Sequence, residues 1–186
     1  MIKVSKYSGS ISGLSNRIRR ALQHLEDGAE LGKLTFIGPI PVFGANAALF
    51  GRGATLSSIK TTGWRGVVMG DGDPLAVVEL PLAHARDIEG AIRGKEPASA
   101  LWQALELVNR RFAHSKDTYE LRFMALPEIF ITALWLKGRR SQFIPTRAGH
   151  GLRPKPRVLG RNSFIKLVRT MRGRIKTLLN EEGRTT

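Results

Sequence analysis

Apolar positions along this chain recur with two periods. In SISGLSNRIRRALQHLEDG, Leu14, Ile18, Ala21, Leu22 and Leu25 fall on one helical face, while Arg19, Arg20 and Gln23 fall elsewhere. Gly28 accepts the left-handed backbone that ends a helix. The spacing predicts an amphipathic helix over residues 13–27, docked by its stripe. PASALWQALELVNRRF predicts a second helix over residues 97–112. Pro97 suits its first turn, Leu101, Leu105, Val108 and Phe112 form its stripe with Trp102 beside them, and Arg110 and Arg111 complement the negative end of the helix dipole.

The two-residue period marks strands. In WRGVVMGDGDPLAVVEL, two β-rich runs flank Gly70, Asp71, Gly72, Asp73 and Pro74, residues that a tight turn requires, so a hairpin is predicted over residues 64–80. YELRFMAL alternates, with Tyr119, Leu121, Phe123 and Ala125 on one side and Glu120, Arg122, Met124 and Leu126 on the other, which predicts a half-buried strand over residues 119–126. IFITALWL, residues 129–136, is apolar except for Thr132 and rich in β-branched and aromatic residues; it predicts a buried strand. A turn at Lys137, Gly138, Arg139 and Arg140 leads to a short strand over residues 142–145. Upstream, FIGPIPVFGANAALFGRGATLSSIKTTG is punctuated by Gly38, Pro39, Pro41, Gly44, Gly51 and Gly53 and reads as loop or short irregular strands. The order predicts an α+β fold: a mostly antiparallel sheet with helix 97–112 packed on one face.

The C-terminal region breaks both periods and then restores one. RAGHGLRPKPRVLGRN, residues 147–162, contains five Lys/Arg residues, His150 and no acid, interspersed with Gly and Pro. Proline removes backbone donors and glycine raises the entropic cost of order, which predicts an extended arm. NSFIKLVRTMRGRIKTLLN then places Phe164, Val168, Met171, Ile175 and Leu178 on one helical stripe behind an Asn162 or Ser163 cap, with Lys166, Arg169, Arg172, Arg174 and Lys176 around it. A basic amphipathic helix over residues 163–180 follows. The expected division is an α+β domain over residues 1–136 and a basic arm and helix over residues 137–186.

Charge sharpens that division. The 186 residues carry a formal net charge of +15, and residues 137–186 hold 14 Lys/Arg against 2 Asp/Glu. Such asymmetry argues for an anionic partner: a phosphate backbone, an anionic membrane surface or an acidic protein face. Ten of those cations are arginine, whose planar fork suits phosphate oxygens. With no cysteine, disulfides, thiolate nucleophiles and cysteine metal sites are excluded. No apolar run approaches the roughly 18 residues that span a bilayer, and the start MIKVSKYSGSISG lacks the apolar stretch of a signal peptide. A cytoplasmic protein is expected.

Catalytic and cofactor motifs are weak. The glycine-rich region matches neither the P-loop nor the dinucleotide pattern, and no serine sits in G-x-S-x-G. Asp71 and Asp73 form a D-x-D that reads as turn residues more readily than as a cation site. His84 with Asp87, and His114 with Asp117, are spaced so that a carboxylate can orient an imidazole, the basis of a hydrolase alternative. No cofactor or metal is expected.

The leading expectation is a non-enzymatic binding protein that engages RNA or DNA without reading base sequence, with Arg147, Arg153, Lys155, Arg157, Arg161, Lys166 and Arg169 as contacts. The alternative is an adaptor or assembly subunit docking through Phe164, Val168, Met171 and Ile175.

Overall fold

The computed structural model describes residues 1–4, 16, 18, 20, 22, 33–50, 56, 59–82, 92–149 and 154–182. Nine strands form one sheet: β1 (Ile2–Val4), β2 (Leu34–Gly44), β3 (Thr61–Gly70), β4 (Asp73–Pro81), β5 (Ile92–Arg93), β6 (Tyr119–Leu126), β7 (Ile131–Lys137), β8 (Gln142–Ala148) and β9 (Leu159–Gly160). Among the described residues two further elements are continuous helices, α1 (Lys95–Phe112) and α2 (Arg161–Glu182). The fold is α+β with a mostly antiparallel sheet. Its strand order is β5-β4-β3-β2-β6-β7-β8-β9, with β1 alongside β6.

Two halves of like construction make up this sheet. Each has three long strands in antiparallel succession, then a two-residue strand, then a helix: β2 to β5 with α1, and β6 to β9 with α2. They join where β2 runs parallel to β6 at Val42, Phe43 and Gly44. Because successive side chains leave a strand on opposite faces, the packing partners reveal which face each helix covers. Leu121, Phe123, Leu134, Leu136 and Ile144 pack with the α1 residues Leu101, Ala104 and Val108. Their neighbours Met124, Leu126, Ala133, Trp135 and Phe143 pack with the α2 residues Phe164, Val168 and Met171. The helices therefore lie on opposite faces.

The second face of β3 and β4 has its own cover. Ile18 and Leu22, in helical backbone, are buried with Val68, Ala76, Val78 and Leu80. This agrees with the docked stripe expected of helix 13–27, whose other residues lie outside the described set.

Local chemistry explains most boundaries. Asp71 (φ 49°) and Gly72 (φ 94°) form the two-residue β3–β4 turn, both with the positive φ of a type I′ hairpin. The Asp71 carboxylate accepts the Lys33 N–H at 3.3 Å. Helix α1 starts two residues before Pro97 and buries Ala98, Leu101, Ala104, Val108 and Phe112; Leu105 is only partly covered.

Two expectations are corrected. The Gly/Pro-punctuated segment is an 11-residue strand, β2, not loop. Its pairing with β3 shifts between Ile37 and Ile40, so Gly38 and Pro39 sit in a bulge, the place where a strand accommodates proline. Gly66 lies beneath: a Cβ there would come within 2.3 Å of the Phe36 ring. Strand β6 is covered on both faces rather than half-buried, since helices distant in sequence pack on each side; Phe123 and Met124 are both inaccessible. The segment from Arg147 is tied to the sheet at both ends. Arg147 belongs to β8, while Leu159 and Gly160 pair with Phe143 and Gln142.

Each sheet face encloses one arginine. Arg65 pairs with Glu79 and lies 4.0 Å above the Phe123 ring centroid on the α1 face. On the α2 face, Arg122 pairs with Glu120 at 2.7 Å and sits 4.2 Å from the Phe43 ring and 4.9 Å from that of Trp135. Carboxylate pairing and aromatic quadrupoles together offset the cost of burying these charges.

Candidate polyanion interface

Helix α2 is held by aromatic packing at its start. The Phe164 ring stacks on Phe143 with centroids 4.2 Å apart and meets Phe50 edge-on at 6.0 Å. Phe50 belongs to a 3-10 turn, Ala47–Phe50, which Glu128 pins by accepting the Asn46 side-chain amide at 2.6 Å and the Ala47 N–H at 3.3 Å. Arg169 adds a polar tie, its Nε donating to the Phe50 carbonyl at 3.3 Å. The apolar stripe thus faces the chain's own sheet: Phe164 and Val168 are fully buried, Met171 is 6% exposed and Ile175 is partly covered. Docking a partner through these four residues would require α2 to leave the sheet.

With the stripe committed to the core, the cations point outward. Arg161, Lys166, Arg169, Arg172, Arg174 and Lys176 are all exposed, along about 22 Å of helix at 1.5 Å per residue. Lys155 and Arg157 are exposed in the extended segment before β9. Arg147 lies apart: it leaves β8 beside Phe130, with its guanidinium 5.3 Å from that ring and its Nε donating to the Gly149 carbonyl at 3.4 Å. Arg153 is outside the described residues. Among the expected contacts, those from Lys155 to Arg169 therefore occupy the β9–α2 side of the molecule, whereas Arg147 occupies the opposite end of β8.

A cleft joins this basic helix to the sheet. A cavity of about 690 Å3 lies between the β7–β8 turn and the start of α2, lined by Trp135, Lys137, Arg139, Arg140, Ser141, Arg161 and their neighbours. The two-residue pairing of β8 with β9 delivers the α2 N-terminus to this place. Four cations face the space, and among the described residues no Asp or Glu lines it. Asn162 and Ser163 bring the first, positively polarised turn of the helix to its rim. Lys137, Arg139 and Arg140 were expected only as turn residues. Their signal was present in KGRR, three cations in a four-residue turn between strands, but their meeting with Arg161 depends on a contact across more than twenty residues.

Of the two His/Asp pairs considered for catalysis, His114 and Asp117 lie among the described residues. His114 is exposed, and the Asp117 carboxylate accepts from the Tyr119 hydroxyl at 3.4 Å. Burial and the nearby Asp117 charge raise the Tyr119 phenol above its ordinary pKa, with Arg140 opposing. His84, Asp87 and His150 lie outside the described residues. Among the described residues there is no cluster of three or more His, Asp or Glu able to hold a metal, and no helix is long and apolar enough to cross a membrane.

Searches of protein-family models, curated proteins and solved structures find no match to this chain.

Proposed function

We propose that this is a non-enzymatic binding protein whose second half engages a polyanion, RNA or DNA, through its phosphates and without reading base sequence. The observation that carries the reading is the division of labour within α2. Phe164, Val168 and Met171 on its apolar face are buried in the core while Lys166, Arg172, Arg174 and Lys176 stay exposed, continuous with the cationic cleft at its start. Cations fixed on a rigid scaffold meet phosphate oxygens at less entropic cost than cations on a free chain. The sealed stripe also weighs against a membrane surface, because interfacial helices bind by burying that stripe in lipid.

Charge neutralisation is the clean test. Deleting the C-terminal forty residues would strip Phe164 and Val168 from the core, so loss of binding by truncation would be ambiguous. The variant K166Q/R172Q/R174Q/K176Q alters only exposed positions. It is expected to elute from an immobilised nucleic acid at much lower salt than the parent protein; unchanged elution would overturn the proposal.

A further inference from the structure

The cations of the cleft differ from those along α2 in how they are grouped. On the helix they are spread along a convex surface, where each meets one phosphodiester carrying a single charge. In the cleft, Lys137 from the end of β7, Arg139 and Arg140 from the β7–β8 turn and Arg161 from α2 surround a single space of about 690 Å3. A compact group bearing two negative charges suits such a site better than a diester. A terminal phosphate is that group, carrying about −1.5 to −2 at pH 7 because its second pKa is near 6.

The neutral residues of the cleft fit the same chemistry. Trp135 is 1% exposed and its ring is stacked on Phe143 at 6.0 Å, so its position is set by the core. Its indole N–H donates to the Ser141 hydroxyl oxygen at 3.2 Å. A hydroxyl that accepts on one side has its own proton directed elsewhere, and Ser141 lines the cleft. The acid nearest in the strand register is Glu120, opposite Lys137, and Arg122 engages it at 2.7 Å. Arginine forks add paired hydrogen bonds to phosphate oxygens.

We infer that the cleft between the β7–β8 turn and the start of α2 binds a phosphomonoester, the terminal phosphate of a nucleic-acid strand. This rests on the polyanion reading above and adds end recognition to it.

Two single-stranded oligonucleotides of identical sequence, one with a 5′-phosphate and one with a 5′-hydroxyl, separate the two claims by fluorescence anisotropy with the full chain. A third strand with a 3′-phosphate shows which end is preferred. The parent protein is expected to favour a phosphorylated end by roughly tenfold, about 1.4 kcal/mol. That preference should shrink between pH 7.5 and pH 5 as the phosphate regains its second proton. R139Q/R140Q should lose the preference, binding the phosphorylated and hydroxyl strands with equal affinity. K166Q/R172Q should bind every strand more weakly and keep the preference. Equal binding of all three strands by the parent protein, or a preference that survives R139Q/R140Q, would overturn the assignment of the cleft and leave the polyanion reading standing. No binding of any strand would overturn both. Saturation by inorganic phosphate at micromolar concentration, with no strand bound, would assign the cleft to a small phosphorylated molecule instead.

Discussion

The two helices close halves built from the same succession of elements, yet they carry charge in opposite senses. Helix α1 has Glu96 in its first turn and Arg110 and Arg111 in its last, the arrangement its dipole favours. Helix α2 begins with Arg161, has no acid in its first turn and no base in its last, and ends on Glu181 and Glu182. Each misplaced charge forgoes about 0.3–1 kcal/mol. The wider halves differ likewise: residues 34–112 hold 8 Lys/Arg and 7 Asp/Glu, whereas residues 119–182 hold 14 and 4. Since both helices bury apolar residues in the core, core packing does not account for the difference. The charges of α2 run against its own stability, a departure that the polyanion proposal would account for.

If both helices are integral to one core, each should be expensive to unseat. Phe164→Ala is expected to lower unfolding free energy by about 3–5 kcal/mol and Leu101→Ala by about 2–5 kcal/mol in urea denaturation. A cost below about 1 kcal/mol for Phe164→Ala would show α2 to be an appendage. The enclosed arginines offer a second comparison. Arg65→Ala and Arg122→Ala each remove a carboxylate partner and an aromatic contact, and both should cost about 1–3 kcal/mol.

The dipole argument predicts smaller, opposite effects in the two helices. Asn162→Asp places an acid in the first turn of α2 and should add about 0.3–1 kcal/mol of stability while weakening polyanion binding. Glu96→Gln should remove a similar amount from α1. Smallest is the contribution of Tyr119. Its phenol pKa is raised in the folded protein, first by burial and then by Asp117. A raised pKa means that the stability it contributes is fully present below the unfolded tyrosine value near 10 and is lost as pH rises through the folded value. Thermal denaturation should therefore show Tyr119→Phe less sensitive than the parent protein above pH 10, and indistinguishable from it in pH dependence near neutrality.

What the sequence made legible follows the range of the interactions involved. The β3–β4 hairpin was readable because Asp71 and Gly72 encode the turn locally. Helix α1, strand β6 and the α2 stripe were readable because their periods are intact over eight residues or more. Strand β2 was hidden by the Gly38-Pro39 bulge, which breaks its alternation and is accommodated only because Gly66 lies beneath it. Strand β6 looked half-buried because Glu120 and Arg122 resemble a wet face, whereas the two pair with each other and Arg122 lies over the Phe43 and Trp135 rings. The basic character of the site was plain from composition. Its cleft was not, since it exists only where β9 pairs with β8 and brings Arg161 to the turn at Arg139 and Arg140.

The central claim is that the second half, not the first, meets the polyanion. The salt dependence of binding to a short DNA duplex tests it most directly, with the parent protein beside R172Q/R174Q and R110Q/R111Q. Six phosphate contacts give the parent a log-log slope of about −5. R172Q/R174Q should bring the slope to about −3.6, since each contact contributes about −0.9, and R110Q/R111Q should leave it unchanged. Equal slopes for the two variants, or no binding by the parent protein at low salt, would contradict the account.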